Sequence, residues 1–349
     1  MAPGTVASTP RSDATDVTSP TPDAKRSTLG ALWKSPLGTF VRVLCAVLPL
    51  VYLARKVNLA SMQRGFALVG PRELLLSISS MLFSVTLASL RWRVLLHAYG
   101  ANPQRMPTQF MLLRTYLVAL YFNILPSGLA GDAVRGWRVA ECLPDTRTSY
   151  LVLLIERLLG LCGLLLVAGI AFVLAPAGSS VSIVERALAL GALATGVLSA
   201  VLFVLPQQLA RSPALRARVA ALPVAGKLLA ELPIPRSWSG PALALALSVL
   251  VQALIVTTVA PLVMALSPNA TLMTCARVVP AVVLVSYIPL TPGGLGQREA
   301  AFAHFFAPHG VSPAAAVTAS LLFFVVYLAV SLLGGLVLAA ERAAQRRST

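Results

Sequence analysis

The chain has 349 residues, of which 57% are hydrophobic and only 11% are charged, with a formal net charge of +16. Soluble globular proteins carry about 25% charged residues. Asp, Glu, Lys and Arg are missing from 158–184, 187–210, 237–276, 278–297 and 300–340. About 20 apolar residues in a helix cross the hydrocarbon core of a bilayer. The composition therefore excludes a soluble single-core domain and predicts an all-α, polytopic integral membrane protein.

Residues 1–30 are rich in Ser, Thr, Pro and Asp and predict a disordered tail. A membrane domain is expected over 31–341, followed by a basic tail over 342–349. The apolar runs predict about six spans, at 37–55, 73–91, 149–175, 187–205, 241–266 and 313–340.

Two further apolar stretches, 108–127 and 276–305, are interrupted by Pro and Gly. Proline removes a backbone donor and kinks a helix, and clustered glycine favours an unwound backbone. Each stretch is therefore predicted to be a broken helix. The predicted hinges are Pro126, Pro289 and Pro292.

The positive charges predict the orientation of the chain. The loop 206–240 has five basic residues against one acid, so it is placed in the cytoplasm together with both termini. Segment 108–148 must then begin and end in the cytoplasm, and segment 268–312 must begin and end outside. Each becomes a re-entrant hairpin, and the halves, about 35–175 and 187–340, form an inverted repeat. Such repeats place substrate sites near the bilayer midplane.

Charged residues lie next to both breaks and at the start of the third predicted span. Ionisable groups at membrane depth are costly and are functional candidates by default. A cluster of both signs suits an anionic or zwitterionic headgroup, because Arg binds phosphate through two hydrogen bonds. The predicted substrate-binding residues are Asn123, Gly128, Gly131, Asp132, Arg135, Glu156, Arg157, Gly293, Gly294, Gly296, Arg298 and Glu299.

Structural roles are the alternative for several of these residues. Asp132 and Arg135 are spaced as an (i, i+3) pair on one helix. Glu156 and Arg157 could lie at the membrane interface with snorkelling stems. Gly128 and Gly131 could allow close helix packing.

Aromatic side chains near these motifs are expected to have structural roles. Trp92 is predicted to be a membrane-interface residue rather than a ligand platform. The sequence predicts packing or interface roles for Tyr116, Tyr121, Phe122 and Trp137.

Metal and nucleotide chemistry are not expected. The cysteines are scattered (Cys45, Cys142, Cys162, Cys275), and the three histidines form no zinc-binding pattern. The glycines of 293–296 lie in an apolar membrane segment rather than in a βαβ unit. The basic residues flank apolar runs, which favours a topological role over nucleic-acid binding. No catalytic residue, metal or cofactor is therefore predicted.

The charged and broken motifs together resemble one known family. They are Arg91-Trp92-Arg93, Asn123-x-x-Pro126-x-Gly128-x-x-Gly131-Asp132-x-x-Arg135, Glu156-Arg157-x-x-Gly160 and Pro292-Gly293-Gly294-x-Gly296-x-Arg298-Glu299. This set resembles the lysylphosphatidylglycerol synthase transmembrane (flippase-like) family over roughly residues 35–341. The resemblance implies two re-entrant hairpins that meet in a lipid-accessible cavity, and movement of a lipid headgroup between leaflets. In one branch of the family a soluble synthase domain follows, and this chain, ending at Thr349, is expected to lack it.

The expected function is that of a lipid or glycolipid flippase in a bacterial cell membrane. Its substrate would be an anionic or zwitterionic phospholipid or a glycolipid. One alternative is an intramembrane transferase, in which an acid serves as general base. The other is a non-catalytic partner of a lipid-synthesis enzyme, docked through the loop 206–240. A homo-oligomer is also compatible with the sequence.

Overall fold

A computed structural model describes residues 59–124, 130–174, 211–222, 233–287 and 296–348, with a few single positions between 183 and 226. These residues form helices and contain no strand, which confirms the all-α fold. The helices are α1 (Leu59–Leu68), α2 (Pro71–Ala98), α3 (Gln109–Asn123), α4 (Ala130–Val139), α5 (Thr146–Val173), α6 (Pro213–Ala220), α7 (Ser239–Leu266), α8 (Leu272–Ser286), α9 (Gln297–Phe306) and α10 (Pro313–Ser348). Short 3-10 turns follow α4 (Ala140–Cys142) and α9 (Ala307–His309).

Four of these helices are long and apolar enough to cross a membrane, namely α2, α5, α7 and α10. A helix of 28 residues, the length of α2, α5 and α7, extends about 42 Å, more than the ~30 Å of hydrocarbon. The four helices correspond to the predicted spans 73–91, 149–175, 241–266 and 313–340. The predicted span 37–55 lies outside the described residues, as does most of 187–205.

Polar side chains set the beginnings of several helices. The Thr108 hydroxyl accepts a hydrogen bond from the Met111 backbone at 3.3 Å, and Thr271 caps α8 in the same way. Asp145 caps α5, and the hydrogen bond from the Thr148 backbone lowers the pKa of its carboxyl. These caps satisfy backbone donors that the first helical turn leaves free.

Glycines allow the long helices to approach closely. A Cβ on Gly163 of α5 would lie 2.7 Å from the Ser248 carbonyl carbon of α7. A Cβ on Gly334 of α10 would collide with the Leu117 carbonyl of α3. Small residues are the usual means of helix packing in membranes, because lipid gives little hydrophobic driving force between helices.

Helices α3 and α4 form the first hairpin, whose open end lies at the C-terminal end of α10. Glu341 of α10 binds Arg114 of α3 at 3.2 Å and Arg138 of α4 at 2.7 Å. At the closed end, the Gly131 backbone donates to Asn123 Oδ1 at 3.0 Å. The break at 125–129, with Pro126 and Gly128, lies outside the described residues.

Helices α8 and α9 form the second hairpin, whose open end lies at the N-terminal end of α10. Asn269, just before α8, donates to the Gly310 carbonyl, just after α9, at 3.4 Å. The 36 residues of α10 extend about 54 Å, so the two hairpins open at opposite ends of the helix bundle. The break at 288–295, with Pro289, Pro292, Gly293 and Gly294, lies outside the described residues.

One end of the bundle is much more basic than the other, and we call it the basic end. It gathers the C-terminal ends of α2, α4 and α10 and the N-terminal ends of α5 and α7. The Arg236 backbone donates to the Ala98 carbonyl there at 2.8 Å, and the Asn102 backbone donates to the Cys142 carbonyl at 2.8 Å. The basic side chains near this end are Arg93, Arg105, Arg114, Arg138, Arg147, Arg236, Arg342 and Arg346.

Candidate functional site

Five charged side chains from α2, α4 and α5 form a continuous chain of ion pairs, which we call the charge chain. Arg91 Nη2 lies 2.9 Å from Glu156 Oε1, and Arg135 binds the second oxygen of Glu156. Arg135 Nη1 lies 3.5 Å from Asp132 Oδ1, and Arg157 Nη2 lies 2.5 Å from Asp132 Oδ2. Positive and negative side chains alternate along the charge chain, which contains three guanidiniums and two carboxylates. One positive charge therefore remains in excess.

The charge chain runs from the protein interior to its surface. Glu156 is 2% exposed, and Arg91 and Arg135 are buried as well. The Arg157 side chain at the other end is 50% exposed, and that of Asp132 is 19% exposed. A ligand that approaches from the protein surface would therefore contact Asp132 and Arg157 first.

Two aromatic rings hold the guanidinium of Arg135. Its Cζ lies 4.3 Å from the ring centroid of Trp92 and 4.3 Å from that of Tyr116. Arg over an aromatic face gains a cation–π attraction that increases when water is excluded. Arg135 is thus fixed by two rings and two carboxylates.

The predicted interface position of Trp92 is wrong, since its side chain is 0% exposed. The predicted span 73–91 stops too early, because α2 continues without interruption to Ala98. Arg91 can lie inside the helix packing because Glu156 neutralises it and Ser248 accepts a hydrogen bond from its Nη1 at 3.1 Å. The sequence analysis placed Arg91 at the end of a span, because an arginine without a partner is costly inside the membrane.

Several buried polar atoms around the charge chain have no hydrogen-bond partner within the described residues. Three are donors: Arg91 Nε, Arg135 Nε and Trp92 Nε1. The fourth is the acceptor Gln252 Oε1, although Gln252 Nε2 donates to the Gly160 carbonyl at 3.1 Å. Buried polar groups normally find partners. The charge chain thus retains unused hydrogen-bonding capacity.

The second hairpin carries a smaller cluster, formed by Arg298, Glu299 and Ser320. Arg298 Nη2 lies 2.6 Å from Glu299 Oε1, and Arg298 Nε donates to Ser320 Oγ at 3.0 Å. Ser320 donates to Glu299 Oε1 at 3.1 Å. The other oxygen of Glu299 accepts from the Gly296 backbone at 2.6 Å. This cluster is neutral, and both oxygens of its carboxylate are satisfied.

The second hairpin approaches the charge chain through Tyr287, at the end of α8. A Cβ on Gly160 would lie 4.0 Å from the Tyr287 hydroxyl and 3.6 Å from Arg91 Nη1. Gln252 of α7 contacts the same glycine. One helical turn of α5 therefore lies close to Arg91, to α7 and to the second hairpin.

The structure brings together four of the predicted site residues, Asp132, Arg135, Glu156 and Arg157, in the charge chain. Arg298 and Glu299 instead bind each other and Ser320 of α10. The predicted (i, i+3) pair of Asp132 and Arg135 is present, but it is one link of the larger network.

The described residues of the two glycine-containing motifs have clear local roles. Asn123 accepts the Gly131 backbone donor and thereby closes the first hairpin. A Cβ on Gly131 would collide with the Ala119 carbonyl, which supports the alternative that this glycine serves close packing. Gly296 caps α9 with a φ of 79°, a conformation that favours glycine.

Sequence reasoning missed several residues of the site. Arg91 of α2 belongs to the charge chain, and Trp92 of α2 and Tyr116 of α3 contact it. Ser248, Gln252 and Ser320 are polar residues within apolar helices. A usable signal existed for four of them. Arg91 and Trp92 belong to the Arg91-Trp92-Arg93 motif of the family resemblance, and the other two are Ser248 and Gln252. Ser248 and Gln252 are one helical turn apart in the uncharged run 237–276, and polar pairs of this kind often face a protein interior in membranes.

The fold and the site define a polytopic helical membrane protein with two helical hairpins and a largely buried charge network. The chain belongs to the family described as the lysylphosphatidylglycerol synthase TM region, whose sequence model matches residues 39–335. The predicted family is thereby confirmed. No curated protein and no solved structure matches the chain significantly. Membership of this family points to a role connected with membrane lipids.

Proposed function

We propose that this protein binds the polar headgroup of a lipid at the exposed end of the charge chain and carries it across the bilayer. The supporting observation is the charge chain itself, which has one excess positive charge and ends at the half-exposed Arg157. Buried ion pairs are no more stable than apolar packing of the same volume. Five charges among membrane helices are therefore better explained by ligand binding than by stability.

The two ends of the charge chain have different tasks in this proposal. Arg157 and Asp132 contact the headgroup, because they are the most accessible members of the charge chain. The guanidinium binds a phosphate oxygen pair, and the carboxylate accepts from an amine or hydroxyl. Glu156 is a positioning residue, since it holds Arg91 and Arg135 in place.

Transport also requires a way to alternate access between the two leaflets. In the proposed topology the basic end faces the cytoplasm of a cell membrane, in agreement with the positive-inside rule. The two hairpins are then re-entrant from opposite faces. Rocking of one half against the other exposes the charge chain to each leaflet in turn.

A reconstitution experiment tests this function. The full chain is placed in phosphatidylcholine vesicles with a trace of fluorescent phosphatidylglycerol, and the accessible label is followed by chemical quenching. Asp132→Asn and Arg157→Gln should each reduce the rate of lipid movement by about tenfold, the effect of losing ~1.4 kcal/mol of headgroup binding.

Arg93→Gln is the matched control, because Arg93 is exposed on α2 two residues from Arg91. It should leave the rate unchanged. Equal rates in the wild type and in both Asp132→Asn and Arg157→Gln would reject the proposed headgroup site. Recovery of a chemically altered lipid would favour a transferase instead.

A further inference from the structure

A groove on the protein surface lies apart from the charge chain, between the first hairpin and the last helix. We call it the α3–α10 groove. Its volume is about 500 Å³, within the range of ~300–1,000 Å³ typical of ligand sites. It is lined by Tyr121, Phe122 and Ile124 on the hairpin side and by Gly335, Leu338, Ala339 and Arg342 on α10.

The shape of the groove follows from the spacing of its residues on α10. Positions 335, 338, 339 and 342 recur at the helical interval and lie on one face. Gly335 leaves room on that face, and the Tyr121 ring covers it at 2.9 Å from where a Cβ would lie. The groove thus has apolar and aromatic walls along most of its length.

The end of the groove near the basic end is positively charged. Arg342 is exposed there, and its neighbour Glu341 is already bound by Arg114 and Arg138. Arg114, Arg138 and Arg342 thus bring three positive charges to this end of α10, against the one carboxylate of Glu341. An apolar channel with a cationic end at the membrane surface matches an anionic phospholipid, since basic pockets between membrane helices bind such headgroups.

We propose that the α3–α10 groove holds a resident anionic phospholipid from the leaflet at the basic end. Its phosphate lies on Arg342, and one acyl chain lies between α3 and α10 against Leu338 and Ala339. The lipid contacts Ile124, at the C-terminal end of α3, and so supports the first hairpin from its outer side. This site does not depend on the proposed transport function, because it uses none of the charge-chain residues.

Native mass spectrometry of the full chain in detergent tests the proposal. The protein is titrated with phosphatidylglycerol or phosphatidylcholine, and the retained lipid is counted. The wild type should retain, with clear preference over phosphatidylcholine, one phosphatidylglycerol that persists in Arg157→Gln, in which the proposed headgroup site is weakened. Arg342→Gln should weaken retention of phosphatidylglycerol about fivefold, the effect of one Arg near an anionic surface. Arg93→Gln removes an exposed charge outside the groove and should leave retention of phosphatidylglycerol unchanged.

A second pair of variants tests the acyl-chain position. Ala339→Trp fills the groove and should abolish retention of both lipids, whereas Leu336→Trp places the same ring at an exposed position outside the groove lining and should leave retention unchanged. The proposal is wrong if Arg342→Gln retains phosphatidylglycerol as well as the wild type does. It is equally wrong if Ala339→Trp still retains the lipid, or if the wild type does not distinguish the two lipids.

Discussion

The two hairpins begin from similar sequence motifs but use their charges differently. In the first, Asp132 and Arg135 join a network of three guanidiniums and two carboxylates that reaches the surface at Arg157. In the second, Arg298 and Glu299 pair with each other, and Glu299 is saturated by Ser320 and the Gly296 backbone. In the first cluster the buried Nε donors of Arg91 and Arg135 have no partner among the described residues, whereas Arg298 Nε donates to Ser320.

The difference teaches that a Pro/Gly break followed by charges does not by itself define a binding site. The first hairpin packs Asp132 against Arg157 of α5 and Arg135 against Glu156 of α5. Glu156 also binds Arg91 of α2, so charge accumulates. The second packs its pair against a hydroxyl, so charge cancels. We therefore propose ligand contact for the first cluster and anchoring of the hairpin for the second. Variants in each cluster can separate these roles.

The largest effect is expected from Glu156→Gln. The change leaves Arg91 and Arg135 without their shared counter-ion in a buried place, and breaking a buried ion pair costs about 3–5 kcal/mol. The unfolding temperature in detergent should fall steeply. Glu141→Gln, at an exposed position beside α4, serves as the control and should have no effect.

The double variant Glu156→Gln/Arg91→Gln sharpens this test. Removing one guanidinium as well should recover part of the lost stability, because less uncompensated charge remains buried. Additive losses in the double variant would show that the two side chains do not depend on each other.

Glu299→Gln should cause a smaller loss, of about 1–3 kcal/mol, the cost of leaving buried polar groups poorly satisfied. Only one guanidinium depends on Glu299, and Gln can still accept from the Gly296 backbone. The comparison with Asp132→Asn distinguishes anchoring from binding. Glu299→Gln should lower the unfolding temperature, whereas Asp132→Asn should reduce lipid movement at nearly unchanged stability. The opposite pattern would reverse the two assignments.

Gly131→Ala tests how the first hairpin closes. Its Cβ would collide with the Ala119 carbonyl and lie 2.5 Å from Asn123 Oδ1, and overpacking of this kind costs about 1–3 kcal/mol. Gly160→Ala is the matched control, because its nearest contact would be an ordinary 3.6 Å. Equal unfolding temperatures for the two variants would contradict the close approach of α3 and α4.

The smallest effect is expected from Glu341→Gln, which removes the ion pairs between α10 and the two arms of the first hairpin. The two ion pairs are partly exposed, and such pairs contribute about 0–1 kcal/mol each. The loss of stability should be smaller in high salt, because salt already weakens these ion pairs in the wild type. A loss as large as that of Glu156→Gln would mean that this end of the hairpin is more important than its charge chain.

Much of the architecture could be predicted from the sequence because it depends on local composition. Uncharged runs such as 237–276 and 300–340 indicated long apolar helices, and the structure contains them as α7 and α10. The sequence also indicated charged residues after the first break, and the structure joins Asp132 and Arg135 to other charged side chains through ion pairs. The C-terminal boundary of α2 was predicted wrongly, because an arginine in an apolar run is typical of the end of a span.

The sequence by itself determined the class of protein, its long helices, its family and the acids and arginines available for a site. Only the tertiary structure decided which charges meet, since Arg91 and Glu156 are 65 residues apart and no periodicity connects them. It also decided that Trp92 and Tyr116 enclose Arg135, while Arg298 is held by Ser320. The reason is physical. The length of an apolar run is set by neighbours along the chain, whereas the neutralisation of a buried charge depends on whichever helix packs against it.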